Sequence, residues 1–222
     1  MIRAAIFDVD GTLLDSMQMW INYGSDFLRL KGIEPPADID EVIQYFSLRE
    51  TAEYFSENFG LGTADELEAE ARLLTREFYF DQVQPKAGVQ AFLQMLYDEG
   101  IPMYVATATY RELIAPALER TGLMKYFKGI VTCTEVGYGK DRPDVFLAAL
   151  TAMNAPLEGA WIFEDAMHAV KTAKAAGFSV CGVYDLTEEH NKEELEKLCD
   201  IYTDRLDRIT LADFKQITIE RK

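Results

Sequence analysis

The sequence has few cysteines and histidines, and it has no long hydrophobic run. Its three cysteines, Cys133, Cys181 and Cys199, are odd in number and far apart, and two histidines are too few for a zinc cluster. No apolar run approaches the ~18 residues of a transmembrane helix, and no secretory signal can be drawn at the N-terminus. We therefore expect a soluble, cytoplasmic protein with reduced thiols.

Positive charge is scarce as well. The chain has 22 Lys and Arg residues against 38 Asp and Glu residues, which gives a formal net charge of −16. A field of that sign repels phosphate backbones and anionic lipid headgroups. Nucleic acid and membranes are therefore not expected as partners. The composition leaves the oligomeric state open and is compatible with a monomer.

Hydrophobic residues, by contrast, are abundant. They make up 49% of the 222 residues, which is enough for a sizeable core and excludes a disordered or low-complexity chain. At roughly 150 residues per domain, this length predicts one large fold that carries an insertion.

Short apolar runs alternate with helical patterns along the chain, which predicts an α/β fold with a parallel sheet. The predicted strands are Ala4 to Phe7, Met103 to Ala106, Gly129 to Cys133, Ala160 to Phe163, Ser179 to Val183 and, more weakly, Ile201 to Tyr202.

Residues 17–84 interrupt this alternation, because they contain helical patterns and no strand run. Ser47 to Glu50 and Thr63 to Glu66 are capping boxes that mark helix starts. We expect an all-helical cap domain over 17–84, inserted into an α/β core formed by 1–16 and 85–222, and two linkers suit it to act as a lid. Aromatic residues at helical spacing are expected to form mainly its core: Trp20, Tyr23, Phe27, Tyr45, Phe46, Tyr54 and Phe55.

Polar side chains follow three of the predicted strands, and a lysine lies near the end of a fourth. Ligands bind outside the carboxyl ends of the strands in open parallel sheets, so these side chains are expected to converge on one site. They are Asp8, Asp10, Thr107, Lys140, Glu164 and Asp165. Four carboxylates at one point repel each other unless a cation or a shifted protonation compensates. Magnesium fits best, since it prefers one or two carboxylates with water and phosphate oxygens.

The residue types indicate phosphoryl transfer. A metal-held carboxylate is a nucleophile towards phosphorus, and a second carboxyl can protonate the leaving oxygen. The metal and Lys140 would neutralise the phosphoryl oxygens, and the Thr107 hydroxyl can bond them without adding charge. Positioning and electrostatics supply most of the catalysis in such sites.

Four segments resemble the motifs of the haloacid dehalogenase-like hydrolase superfamily in order and spacing. They are DVDGT at 8–12, VATAT at 105–109, GKDRPD at 139–144 and FEDAMHAVKTAKAAG at 163–177. The sequence is most similar to the branch that holds phosphoglycolate phosphatase-like enzymes and β-phosphoglucomutase. The resemblance implies a Rossmann-like, doubly wound parallel sheet of strand order 5-4-1-2-3, with the helical cap inserted after the first motif.

The resemblance also implies a role for each site residue. Asp8 would form an aspartyl-phosphate, and Asp10 would act as general acid and then as general base. Mg²⁺ would be held by Asp8, the Asp10 backbone carbonyl and Asp165, with Glu164 bound directly or through water. The phosphoryl group would be held by Thr107, the adjacent Ala108 and Lys140.

The sequence departs from the family pattern at Ala166, Ala169 and Asp141, where Ser, Gly and Pro are usual. None of the three supplies a group to the mechanism, so they bear on the subgroup rather than on activity. Asp10 disfavours carbon-halogen cleavage, because the true dehalogenases of the superfamily lack an acid there.

Arg49 is the cap residue most suited to contact substrate. It lies in the first turn of a capped helix, where a cation opposes the helix dipole and a compensating contact is expected. In the resembling branch this junction faces the active site and binds substrate. The alternative is an exposed arginine paired with Glu50 or Glu53.

The favoured function is a Mg²⁺-dependent phosphatase that acts on a small phosphorylated metabolite. A phosphosugar mutase with the same intermediate is the alternative; Thr12 argues against it, because mutases of the branch often carry Val at that place. A phospho-acceptor regulatory domain is a third reading. The position of Asp8 and the helical insertion oppose it, since such domains have about 120 residues and accept phosphate after a later strand.

Overall fold

The computed structural model describes residues 2–43 and 46–220. Tyr45, expected in the helical core, lies outside the described residues. The chain divides into two compact units, Met1–Asp15 with Gln84–Lys222, called here the sheet unit, and Ser16–Val83, called the helical unit. Within the described residues, no helix is both long enough and apolar enough to span a membrane.

The sheet unit contains six parallel strands in the order β3-β2-β1-β4-β5-β6. In the opposite direction, strands β5, β4, β1, β2 and β3 follow the predicted order 5-4-1-2-3, and β6 adds an edge strand beyond β5. The predicted fold class is therefore confirmed. The strands are β1 Ala4–Phe7, β2 Met103–Thr107, β3 Ile130–Thr132, β4 Ala160–Glu164, β5 Ser179–Val183 and β6 Ile201–Thr203.

The third strand is shorter than the sequence predicts. It ends at Thr132, because the Thr132 side chain accepts a hydrogen bond from the Glu135 backbone amide and starts a helix at Cys133. The helices of the sheet unit are, numbered along the whole chain, α6 Val89–Asp98, α7 Arg111–Arg120, α8 Cys133–Val136, α9 Asp144–Ala152, α10 Met167–Ala175, α11 Lys192–Leu198 and α12 Leu211–Glu220.

Helices cover both faces of the sheet, as expected for a doubly wound fold. Side chains alternate along β1. Ala4 and Ile6 belong to a buried cluster that includes Phe146 of α9 and Val170 of α10. Phe7 points to the other face, where buried aromatic rings of β4, α6 and α12 meet. These contacts are Phe7–Phe163 with ring centroids 4.3 Å apart, Phe92–Phe163 at 5.3 Å and Trp161–Phe214 at 4.8 Å.

The helical unit contains helices and no strand in the part that the structure describes. Its core is aromatic: the rings of Phe27 and Phe55 stack with centroids 5.5 Å apart, and the Trp20 indole N–H donates to the Tyr79 hydroxyl at 3.0 Å. Both predicted capping boxes are present, at Ser47 and Thr63. Its elements are α1 Met17–Trp20, α2 Tyr23–Leu30, α3 Ile39–Ile43, α4 Leu48–Phe59, α5 Ala64–Glu77 and a π-helical turn at Phe78–Gln82.

Gly88 gives a test of packing at the start of α6. It has a φ of +87°, and a Cβ at this position would lie 2.5 Å from the carboxyl carbon of Asp207, which two hydrogen bonds from Arg205 hold in place. We expect Gly88→Ala to lower the free energy of unfolding by roughly 2–4 kcal/mol, from left-handed strain and overpacking together.

Gly100 supplies the matched control, because its φ is +69° but a Cβ there would meet no atom within 4 Å. Gly100→Ala should therefore cost about 1 kcal/mol, the strain alone. Urea unfolding of both variants measures the difference. Equal losses of unfolding free energy in the two variants would show that the Asp207 side chain does not oppose a Cβ at position 88.

Candidate active site

Strand alternation brings the first acids to one place. Asp8 comes two residues after Ile6 of β1, and its side chain is therefore on the same face of the sheet as that of Ile6. Glu164, the last residue of β4, likewise comes two residues after Ile162. The strands are direct neighbours, and the Asp8 backbone amide donates to the Phe163 carbonyl at 2.9 Å. Both carboxylates thus lie at the carboxyl edge of the sheet.

Lys140 joins these two carboxylates. Its ammonium donates to Asp8 Oδ1 and, at 2.8 Å, to Glu164 Oε2. Asp8, Lys140 and Glu164 are 5%, 7% and 1% exposed, so water screens these charges little. Lys140 lies in the loop between α8 and α9, and its Nζ is 5.9 Å from the centroid of the Phe146 ring.

Asp165 completes a cluster of three acids. One possible ligand oxygen each from Asp8, Glu164 and Asp165 lie within 4.8 Å of one another. The Thr12 hydroxyl donates to Asp165 Oδ1 at 3.1 Å, and both side chains are buried. This bond ties the loop after β1 to the loop after β4.

Asp10 and Thr107 contact a second threonine. The Thr109 hydroxyl donates to Asp10 Oδ2 at 2.7 Å, and the Thr109 backbone amide donates to the Thr107 hydroxyl at 3.1 Å. Thr107 is buried, Asp10 is half-buried and Ala108 is exposed. Thr109 was not singled out from the sequence, although its place two residues after Thr107 in the same loop was a usable signal.

Burial disfavours the ionised forms of the acids in the cluster. It raises the pKa of Asp8 to about 8; Lys140 opposes this shift, while Glu164 and Asp10 add to it. Burial, then Glu164 and Asp8, raise the pKa of Asp165 well above its usual value. Although burial alone lowers the pKa of Lys140, Asp8 and Glu164 raise it above its usual value, so the ammonium stays charged.

These residues fit a magnesium ion. The donors are carboxylate oxygens, the type that Mg²⁺ prefers. An ammonium already lies between two of the three carboxylates, which shows that the cluster accommodates a cation. The high pKa values of Asp8 and Asp165 indicate that these acids gain stability from more positive charge than Lys140 alone supplies.

Comparisons with known proteins give matches over most of the chain. The family model of the haloacid dehalogenase-like hydrolases matches residues 5–183. Validoxylamine A 7'-phosphate phosphatase of Streptomyces hygroscopicus subsp. limoneus is 29% identical over 198 residues, 88% of this chain and 90% of the relative. Phosphoglycolate phosphatase 1 of Pseudomonas aeruginosa is 30% identical over 224 residues, 95% of this chain and 80% of the relative.

Among solved structures, a β-phosphoglucomutase from Clostridium difficile has a TM-score of 0.78 at 18% identity and covers 100% of this chain and 99% of its own. The chain belongs to the haloacid dehalogenase-like hydrolase family. The predicted family and its phosphoglycolate phosphatase and β-phosphoglucomutase branch are thereby confirmed.

Arg49 lies in the helical unit, in the first turn of α4. Its guanidinium donates to Glu53 at 2.7 Å, to Glu68 at 3.2 Å and to Asp65. The compensating contact that the helix dipole demands is therefore made within the helical unit, with Glu53 as one of the two partners predicted from the sequence. Its contact with substrate stays a prediction.

Replacement of Asp165 tests the strain in the cluster. Because the pKa of Asp165 is raised on folding, its ionisation destabilises the folded state; this effect is full above the raised pKa and decreases as the pH falls from there towards the ordinary pKa of an aspartate. Asp165→Asn should therefore raise the Tm of the metal-free protein at pH 8, by about 2–4 °C for each kcal/mol relieved.

Thermal unfolding in a chelator from pH 9 to pH 5 measures this effect. The advantage of Asp165→Asn over the wild type should shrink as the pH falls. Asp141→Asn, at an exposed position next to Lys140, is the control and should leave the Tm unchanged. A lower Tm for Asp165→Asn at pH 8 would mean that the hydrogen bond from Thr12 outweighs the repulsion.

Proposed function

We propose that the protein is a Mg²⁺-dependent phosphatase that hydrolyses a small phosphorylated metabolite through an aspartyl-phosphate on Asp8. The observation that carries this proposal is the buried cluster in which Lys140 bonds both Asp8 and Glu164. A carboxylate beside a lysine and further metal-binding acids is equipped to attack phosphorus, because the cations offset the charge of the phosphoryl oxygens.

Magnesium would be held by Asp8, Asp165 and Glu164, together with the Asp10 backbone carbonyl that the family resemblance implies. When bound, the ion would neutralise charge on the phosphoryl oxygens and on the acids around them. Lys140, the Thr107 hydroxyl and Ala108 would bind the phosphoryl group. In the structure, the Thr107 hydroxyl is oriented by the backbone amide of Thr109.

Asp10 would transfer the protons. It is half-buried, and the Thr109 hydroxyl holds Oδ2 in one orientation. Asp10 would donate a proton to the leaving oxygen and then remove one from the water that attacks the aspartyl-phosphate. A single carboxyl can perform both steps, because the first leaves it deprotonated for the second.

The named relatives support a small phosphorylated substrate. Both are phosphatases by name, one of them acting on validoxylamine A 7'-phosphate. A phosphosugar mutase is the second candidate, favoured by the shared fold of the β-phosphoglucomutase. Buried Thr12, which bonds Asp165, stands where mutases of this branch often carry Val, and this supports the phosphatase.

A panel of sugar phosphates, phosphoglycolate and nucleotides tests the proposal. The wild type with Mg²⁺ should release inorganic phosphate from at least one compound, and Asp8→Asn should lower kcat by about 10³-fold or more, since it removes the nucleophile. Asp15→Asn, at an exposed position in the same loop, is the control and should keep wild-type activity. No release by a protein shown to bind Mg²⁺ would contradict the proposal.

The same panel distinguishes the mutase. Product isomers separated by chromatography should stay below the phosphate released. Isomer formation in excess of phosphate release would identify a mutase instead, with loss of both products in Asp8→Asn.

Arg49 gives a test of substrate binding. We propose that its guanidinium binds the substrate, so Arg49→Ala should raise KM by about tenfold, the loss of roughly 1.4 kcal/mol of binding, with kcat nearly constant. Arg29→Ala is the control, because Arg29 is also an exposed arginine of the helical unit, paired with Asp26. An unchanged KM in Arg49→Ala would contradict substrate binding by Arg49 and would limit its role to the ion pairs with Glu53, Asp65 and Glu68.

A further inference from the structure

Lys86 holds together two loops at the carboxyl edge of the sheet. Its Nζ donates to the Gly11 carbonyl at 2.6 Å, to the Tyr184 carbonyl at 2.8 Å and to Asp185 Oδ2 at 2.8 Å. Gly11 follows β1, whereas Tyr184 and Asp185 follow β5. An ammonium has three N–H donors, and here each has an acceptor.

These contacts lie in a largely buried place. The Lys86 side chain is 16% exposed and that of Asp185 is 7% exposed. Hydrogen bonds from a charged donor are about twice as strong as neutral ones, and little water competes with them here. The Asp185 side chain also accepts from the backbone amide and the hydroxyl of Thr187, at 3.1 Å and 2.9 Å, so it is itself fixed.

The backbone of Lys86 is fixed against the same loop. Its amide donates to the Leu13 carbonyl at 2.9 Å, and the preceding Pro85 is bridged to Leu14. The loop after β1 therefore contacts Lys86 at two places, one through the side chain and one through the backbone. A shift of Gly11 relative to Leu13 would therefore stretch or break the hydrogen bond from Lys86 Nζ.

Gly11 lies between two residues of the candidate site. Asp10 on one side is bonded to Thr109, and Thr12 on the other is bonded to Asp165. The bond from Lys86 to the Gly11 carbonyl thus anchors the backbone between these two site residues. The described hydrogen bonds of the Lys86 ammonium go to Gly11, Tyr184 and Asp185 rather than to the acids of the cluster, and its charge opposes the rise that burial causes in the pKa of Asp165.

We propose that Lys86, oriented by Asp185, is a positioning residue that holds the loop after β1 in the conformation in which Asp10 and Thr12 serve the phosphoryl site. This inference rests on the proposed function. It assigns a role to a lysine outside the four motifs and to an aspartate in the loop after β5.

The chain offers a matched control for the loss of a buried ion pair. Lys174 Nζ donates to both carboxyl oxygens of Asp200 at 2.9 Å, and the two side chains are 21% and 10% exposed. This pair lies at the far end of α10, away from the loop after β1. Lys86→Met and Lys174→Met therefore remove comparable lysines and differ in what those lysines hold.

The first measurement is hydrogen exchange in the metal-free protein. The amides of Gly11, Leu13 and Leu14 donate within the loop after β1, to Leu14, Val9 and Val9 in turn. These amides should exchange at least about tenfold faster in Lys86→Met, because the loop opens locally, and at the wild-type rate in Lys174→Met. Equal exchange in the two variants would overturn the proposal.

The second measurement is the Mg²⁺ dependence of the Tm and of kcat. Removal of a residue that orients a metal site typically costs 10–100-fold in affinity or activity, so Lys86→Met should need about tenfold more Mg²⁺ for half-saturation, and its kcat should fall by at least as much. Lys174→Met should match the wild type in both. Faster exchange with unchanged Mg²⁺ dependence and kcat would overturn the role in the site.

Failure of the proposed function would look different. In that case the wild type would release no phosphate from any compound in the panel. The exchange rates and the Mg²⁺-dependent rise in Tm do not need turnover, so they would still decide whether Lys86 positions the loop.

Discussion

The burial of three carboxylates around one ammonium is the constraint on which the site depends. An isolated buried carboxylate is costly, and several of them side by side are more so. Lys140 compensates two of the acids directly, and the raised pKa values of Asp8 and Asp165 show that the compensation is incomplete. The cluster is thus less stable than an apolar one of the same size, which is typical of sites kept for chemistry.

The parallel sheet makes such a cluster possible. Neighbouring strands β1 and β4 end at the same edge, and the two-residue alternation that buries Ile6 and Ile162 also directs Asp8 and Glu164 to one face. The apolar packing of the sheet is what holds like charges together. Hydrogen bonds from the hydroxyls of Thr12 and Thr109 orient the carboxylates of Asp165 and Asp10 at this edge without adding charge.

Much of this arrangement was predictable from the sequence, because the strands are continuous apolar runs and four of the polar loops directly follow or lie near them. The strand order came from the resemblance to a family. The contacts of Lys86 were not predictable, because they join residues 75 and 99 positions apart and depend on how the loops fold. Asp185 could have been found, since it follows β5 at the same edge as the other acids.

The candidate site is itself negatively charged, like the chain as a whole. The formal charges of Asp8, Asp10, Glu164, Asp165 and Lys140 sum to −3, whereas those of Lys86 and Asp185 cancel each other. A divalent cation would bring the sum to −1, still not positive. Attraction for an anionic substrate must therefore come from directed contacts with the metal, Lys140 and nearby donors rather than from a general field. Substrate binding then depends more on the positions of the loops than on the overall charge. A hydrogen bond is lost when its donor moves by a distance shorter than the bond itself.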